Sequence, residues 1–193
     1  MNICVFCSSS NAIDEVYFRD ARLMGDLIGR RGHALVNGGA NVGLMEAVTI
    51  AAKAAGARTT GIIPEMMQGR NLISHHAHEV EITAGMMERK ARMRERSDAF
   101  VALPGGFGTL EEILEVITLK QLDYHRKPIV FINTACFFRH LFDQFTHAFG
   151  EHFSKPEYQQ LYHIAETPAD ALDYLEGYTP GEAINKWYKV PEK

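Results

Sequence analysis

A chain of 193 residues, 46% of them hydrophobic and 23% charged, suits one domain with a core of its own. Its formal net charge of −4 is not the strong basic excess of an electrostatic nucleic-acid binder. No apolar run reaches the roughly 20 residues of a membrane helix. Met1 to Cys7 lack the basic segment of a secretory signal and run into polar Ser8-Ser9-Ser10, so the expectation is a cytoplasmic protein with neither membrane nor nucleic-acid polymer as partner.

In chain order, Ile3 to Cys7 reads as a buried strand, followed by a helix from Glu15 to Arg30 with Val16, Leu23, Leu27 and Ile28 on its apolar face. His33 to Val36 is a second strand, and Gly38-Gly39 turns the chain into a helix from about Gly43 to Ala55. Thr59 to Ile63 is a third strand, stopped by Pro64 and followed by a polar loop through Gly69, Arg70 and Asn71. Glu79 to Ile82 is a weaker fourth strand, then a charged helix covers about 85 to 96. Phe100 to Leu103 and Ile129 to Ile132 are the fifth and sixth strands, with a helix from Thr109 to about Leu122 between them. Helices near 137–149 and 168–176 close the domain.

Strands alternating with helices imply right-handed β-α-β crossovers. The expected fold is α/β, a doubly wound, mostly parallel, Rossmann-like sheet in a single domain, residues 1–179, with a polar tail over 180–193. Ligands of such sheets bind outside the carboxyl ends of the strands, at a topological switch point. Three polar or glycine-rich loops fall at strand ends: Ser8 to Asn11, Gly38 to Gly43 and Pro104 to Thr109.

Three cysteines without a secretory signal point to reduced thiols. Cys4-Val5-Phe6-Cys7 has redox-pair spacing, but residues three apart in a strand point to opposite faces; both thiols are expected to be buried and inert. His75, His76 and His78 match no zinc-ligand spacing, so no metal site is expected. There is no G-x-S-x-G elbow.

The chemistry concentrates in Pro104-Gly105-Gly106-Phe107-Gly108-Thr109-Leu110-Glu111-Glu112, between an apolar strand and an apolar helix. Glycines let backbone N–H groups approach a ligand, and a helix start adds unpaired donors and a positive dipole end. Together they make an anion site. The stretch has neither the lysine of a Walker loop nor the G-x-G-x-x-G spacing of a dinucleotide site. Thr109-x-x-Glu112 also fits a capping box, in which Glu112 bonds the Thr109 backbone N–H; for Thr109, capping and phosphate binding both stay open. Gly38-Gly39-Ala40-Asn41-Val42-Gly43 is a second such loop, readable as a tight turn or as a ligand contact. In the basic run Arg89 to Arg96, Arg89 and Lys90 can grip a phosphate or carboxylate, although a solvent-facing helix is the simpler reading.

Met86-x-x-Arg89-Lys90 together with Pro104-Gly105-Gly106-x-Gly108-Thr109-x-x-Glu112 resembles the Lonely Guy family of cytokinin riboside 5′-monophosphate phosphoribohydrolases and related bacterial nucleotide hydrolases. The likeness runs from Cys4 to about Phe142 and takes in Gly43-Leu44-Met45, Ser97-Asp98-Ala99-Phe100 and Gln121-Leu122. It implies hydrolysis of the N-glycosidic bond of a nucleoside 5′-monophosphate, a cytokinin riboside monophosphate or AMP, to free base and ribose 5-phosphate. Arg89 and Glu112 would be the catalytic pair. Lys90, Gly105, Gly106, Phe107, Gly108, Thr109, Leu110, Glu111 and Thr118 would bind the nucleotide. No cofactor is implied, and a homodimer is, with Met86, Met87 and Met93 as interface candidates. The likeness departs at Asn71, where many members have a substrate-contacting Glu, at Ser8, where glycine is common, and at Phe107 in place of Tyr. The alternative is a nucleotide or cofactor carrier with this fold and no chemistry; retention of both Arg89 and Glu112 favours the enzyme.

Overall fold

The structure, a computed structural model, describes residues 1–182 and 184. Most of the polar tail from Pro180 therefore lies outside the described residues. Seven strands form one parallel sheet: β1 (Asn2–Phe6), β2 (Ala34–Asn37), β3 (Thr59–Pro64), β4 (Glu79–Thr83), β5 (Ala99–Ala102), β6 (Ile129–Ile132) and β7 (His163–Ala165). Their order is β4-β3-β2-β1-β5-β6-β7. Every pairing is parallel, with Asn2 opposite Ala34 on one side of β1 and Ile3 opposite Ala99 on the other. The six expected strands are present within a residue or two of their expected ends. The seventh, only three residues long, sits at an edge with Ile164 exposed and gives no apolar run to read.

Strands buried on both faces have near-continuous apolar sequences, as β1, β5 and β6 do. Alternation divides them between two cores. Ile3, Val5, Ala99, Val101, Val130 and Ile132 pack under α1 (Glu15–Arg30), α2 (Gly43–Ala54) and, after the short α3 (Glu65–Gln68), the C-terminal α7 (Pro168–Gly177). Cys4, Phe6, Phe100, Ala102, Ile129 and Phe131 face α4 (Met86–Glu95), α5 (Phe107–Gln121) and α6 (Arg139–Gly150). Cys4 and Cys7 fall in opposite cores, both buried and free; burial, the leading cause, pushes both thiols well above their usual range. Among the described residues no helix is long and apolar enough to cross a membrane.

One buried amine has no hydrogen-bond partner among the described residues. Lys120, half-buried in the last turn of α5, has its Nζ covered, 4.8 Å from the centre of the Tyr178 ring. Burial lowers its pKa from 10.5 to about 8. At pH 7 the amine is charged in both folded and unfolded chains, so its desolvation cost is present in full. Between pH 8 and 10.5 the unfolded chain holds the extra proton, so this group's contribution to stability rises with pH. Lys120→Met is therefore expected to raise the melting temperature at pH 7 by a few degrees, at about 2–4 °C per kcal/mol for a chain of this size. The gain should shrink towards pH 10. Thermal melts at both values check this, and a less stable variant at pH 7 contradicts it.

Candidate active site

Three loops converge where the strand order reverses, between β1 and β5. Ser8 N donates to Pro104 O at 3.2 Å, and Leu44 N donates to Ser8 O at 2.9 Å. Gly43, at φ 59°, passes so close that a Cβ would lie 2.5 Å from Ser9 C and 2.8 Å from Ser10 N. Its N–H donates to Asn11 Oδ1 at 2.8 Å. A Cβ on Gly105 would overlap the Thr109 hydroxyl and lie 3.0 Å from Ser8 N. The glycines thus let the loops pack on one another as well as approach a ligand.

These loops form one wall of a cleft of about 450 Å³, within the roughly 300–1,000 Å³ of small-molecule sites. The polar wall carries Ser8 to Ser10, Gly106 to Thr109, Arg89, Glu111 and Glu112. The apolar part of the lining is Ala40, Met45, Ile63, Pro64, Met67 and Met86. Such a cleft matches a ligand with an anionic end and a flat, weakly polar end.

Helix α5 begins at Phe107 with Gly106 as its N-cap, two residues before the start expected from the sequence. That shift removes the capping box. Leu110 N bonds Gly106 O at 3.0 Å, Thr109 is inside the first turn, and Glu112 lies in the second. The N–H groups of Phe107, Gly108 and Thr109 are the donors a helix start leaves without intrahelical carbonyls. Phe107 is 93% exposed at the cleft mouth.

Glu112, instead of capping, meets Arg89. Arg89 Nη1 donates to Glu112 Oε1 at 2.6 Å, and Arg89 Nε donates to Ile62 O at 3.0 Å. The two side chains are only 10% and 11% exposed. Arg89 is thus buried, against the solvent-facing reading; the other arginines of the run, Arg92, Arg94 and Arg96, are half-buried and paired with Glu81, Glu95, Glu115 and Glu79. Burial raises the Glu112 pKa, and the Arg89 charge and hydrogen bond pull it back. A buried ion pair is poor evidence of stabilisation; a desolvated carboxylate with one charged partner in a cleft is a mark of function. Lys90 turns to Glu111 and Glu115, with its own pKa raised first by the bond to Glu111. Each carboxylate at the start of α5 is therefore matched by a cation, which removes the charge conflict with an anion at the helix end.

Of the residues implied by the family likeness, Arg89, Gly106, Phe107, Gly108, Thr109, Glu111 and Glu112 line the cleft; Lys90, Gly105, Leu110 and Thr118 do not. Thr118 is exposed about three turns along α5, its hydroxyl donating to Leu114 O at 2.8 Å. Asn71, at φ 54°, is exposed and accepts from Asn41 Nδ2 through its carbonyl at 3.1 Å, outside the cleft lining. Met93 is buried in this chain's own core, which removes it from any interface; Met86 and Met87 are exposed. His76 turns to Glu46 at 2.6 Å and His78 to Thr59 at 2.9 Å. Sequence reasoning missed Ile63, Pro64 and Met67, which reach the cleft only because β3 ends beside it.

A family model described as "Possible lysine decarboxylase" matches residues 45–175. The described cleft lining holds no lysine, so the amine of a pyridoxal-type decarboxylase is missing there. The chain is 40% identical over 178 residues to "Probable cytokinin riboside 5'-monophosphate phosphoribohydrolase LOGL6" of Oryza sativa subsp. japonica, covering 92% of this chain and 71% of that one. It is also 40% identical to "Cytokinin riboside 5'-monophosphate phosphoribohydrolase LOG3" of Arabidopsis thaliana, over 92% of this chain and 83% of that one. A molybdenum cofactor binding protein from Rippkaea orientalis shares the fold, with a TM-score of 0.70 at 24% identity over 91% of this chain and 94% of that one. With the glycine-started helix, the buried Arg89–Glu112 pair and these relatives, the chain belongs to the Lonely Guy family.

Proposed function

We propose that this protein hydrolyses the N-glycosidic bond of a nucleoside 5′-monophosphate, giving free base and ribose 5-phosphate. The observation that carries this reading is the buried Glu112–Arg89 pair facing the same cleft as an open helix start. The 5′-phosphate sits on the N–H groups of Phe107, Gly108 and Thr109, and the base lies against Met45, Ile63, Met67 and Met86. Breaking the C1′–N bond develops positive charge on the sugar, as in glycoside hydrolysis. The Glu112 carboxylate stabilises that charge and takes a proton from the attacking water. The water oxygen bonds to C1′, the C1′–N electron pair leaves with the base, and a proton ends on the base nitrogen. Arg89 keeps Glu112 ionised and orients it; Glu111, held by Lys90, binds the ribose hydroxyls. A panel of nucleoside 5′-monophosphates assayed for free base tests this. At least one is expected to turn over, and binding without release of base from any of them would make the cleft that of a carrier.

The proposed form is a homodimer. Thr118, exposed and outside this chain's cleft, would reach nucleotide only in the cleft of a second copy, and Met66, Met87 and Phe107 are exposed apolar side chains that a partner would cover. Light scattering at micromolar concentration is expected to give twice the chain mass of 21.7 kDa; a monomer contradicts this.

A further inference from the structure

The two glycines after β2 have different causes. Gly39 has φ 69°, a left-handed conformation that favours glycine, and its N–H donates to Asn37 Oδ1 at 2.9 Å. Gly38 is not among the residues with positive φ, so its backbone asks for no glycine. What it lacks is room. A Cβ on Gly38 would overlap Arg89 Nη2, 3.3 Å from Arg89 Cζ and 3.0 Å from Met45 Sδ.

The guanidinium cannot move aside without loss. Nε is held by Ile62 O and Nη1 by Glu112, and the planar fork moves as one body. Nη2, over Gly38, has no hydrogen-bond partner among the described residues and belongs to a side chain lining the cleft. A methyl group at position 38 would tilt the fork off the Ile62 carbonyl, off Glu112, or both.

We propose that Gly38 is a positioning residue for the reaction: the absence of its side chain lets Arg89 lie flat on the β2–α2 turn, with Nη1 on Glu112 and Nη2 presented to substrate. This rests on the reading of Arg89 and Glu112 as the working pair. A Gly→Ala change at an ordinary φ costs the backbone nothing, so its effects come from the displaced Arg89, and the coupling to Arg89 and the shift in pH profile separate positioning from folding.

The test is a double-mutant cycle. Gly38→Ala is expected to lower kcat about 10–100-fold, the scale of a misplaced catalytic group, in a protein that still melts cooperatively, at a lower temperature because the displaced Arg89 loses buried partners. Weaker pairing with Arg89 should also move the acid limb of the kcat/KM profile upward, because Glu112 loses the partner that pulls its pKa down. Arg89→Lys lacks Nη2, so adding Gly38→Ala to it should cost less than about 2-fold more; non-additivity of this kind marks residues acting through one another. A readout independent of turnover is the Arg89 Nε–H resonance, expected to be protected from exchange by the Ile62 carbonyl and to lose that protection in Gly38→Ala. Wild-type kcat and acid limb in Gly38→Ala, or an equal penalty in the Arg89→Lys background, would overturn the proposal. Lost protection with normal kcat in both Gly38→Ala and Arg89→Lys would instead place the failure in the reading of Arg89.

Discussion

Glu112→Gln is expected to lower kcat about 10²–10⁴-fold, the range for losing a general acid or base, with KM changed little. Glutamine keeps the shape and an oxygen for Arg89 Nη1, which now bonds Oε1 at 2.6 Å, but it cannot accept a proton or carry charge opposite the sugar. Stability should move little, because two effects oppose. The folded state raises the Glu112 pKa, so the ionised carboxylate becomes costlier to the fold as pH climbs above 4.5, and removing it helps. The variant also leaves Arg89 without its counter-charge, which costs. The same raised pKa sets the expected pH dependence of the wild type. The working form is the carboxylate, so kcat/KM should fall as pH drops through a value above 4.5, the ordinary carboxylate value. Steady-state kinetics beside thermal melts check both. A glutamine variant with near-normal kcat would remove Glu112 from the chemistry.

Removing the 5′-phosphate from the substrate is expected to be as damaging. The first turn of α5 offers the N–H groups of Phe107, Gly108 and Thr109 to an anion, and Lys90 and Arg89 match the charges of Glu111 and Glu112 behind them. Hydrogen bonds to charged groups contribute about 1.5–3 kcal/mol each; losing two or three of them amounts to roughly 10²-fold or more in kcat/KM. Some of that loss should fall on kcat, since a remote anchor aligns the reacting carbon. Adenosine compared with AMP is the measurement. Similar turnover of the two would remove the helix start from the binding site.

The sheet was readable because its central strands are short apolar runs ended by glycine, proline or polar loops, and the loop positions at their carboxyl ends followed from topology. β7 was not readable, since three residues at an edge leave no pattern. Of the two readings open for Thr109, the capping box fails for a specific reason. Gly106-Phe107-Gly108 reads as loop, yet the first helical turn needs little intrinsic propensity once the strand and loop packing fix its direction. Starting α5 at Phe107 moves Glu112 from a cap to the face that meets Arg89. Charge alone did not distinguish Arg89 from Arg92, Arg94 and Arg96; the family likeness singled it out, and the Ile62 carbonyl and the vacancy at Gly38, both distant in sequence, give the physical reason. The methionine wall was hidden for the same reason, being assembled from α2, α3 and α4.

The most direct measurement of the central claim is the yield of both products from one nucleotide. Incubated with its best nucleoside 5′-monophosphate, the protein is expected to release free base and ribose 5-phosphate in equal amounts and many times over per chain. Nucleotide held at up to one per chain and recovered intact would contradict the account.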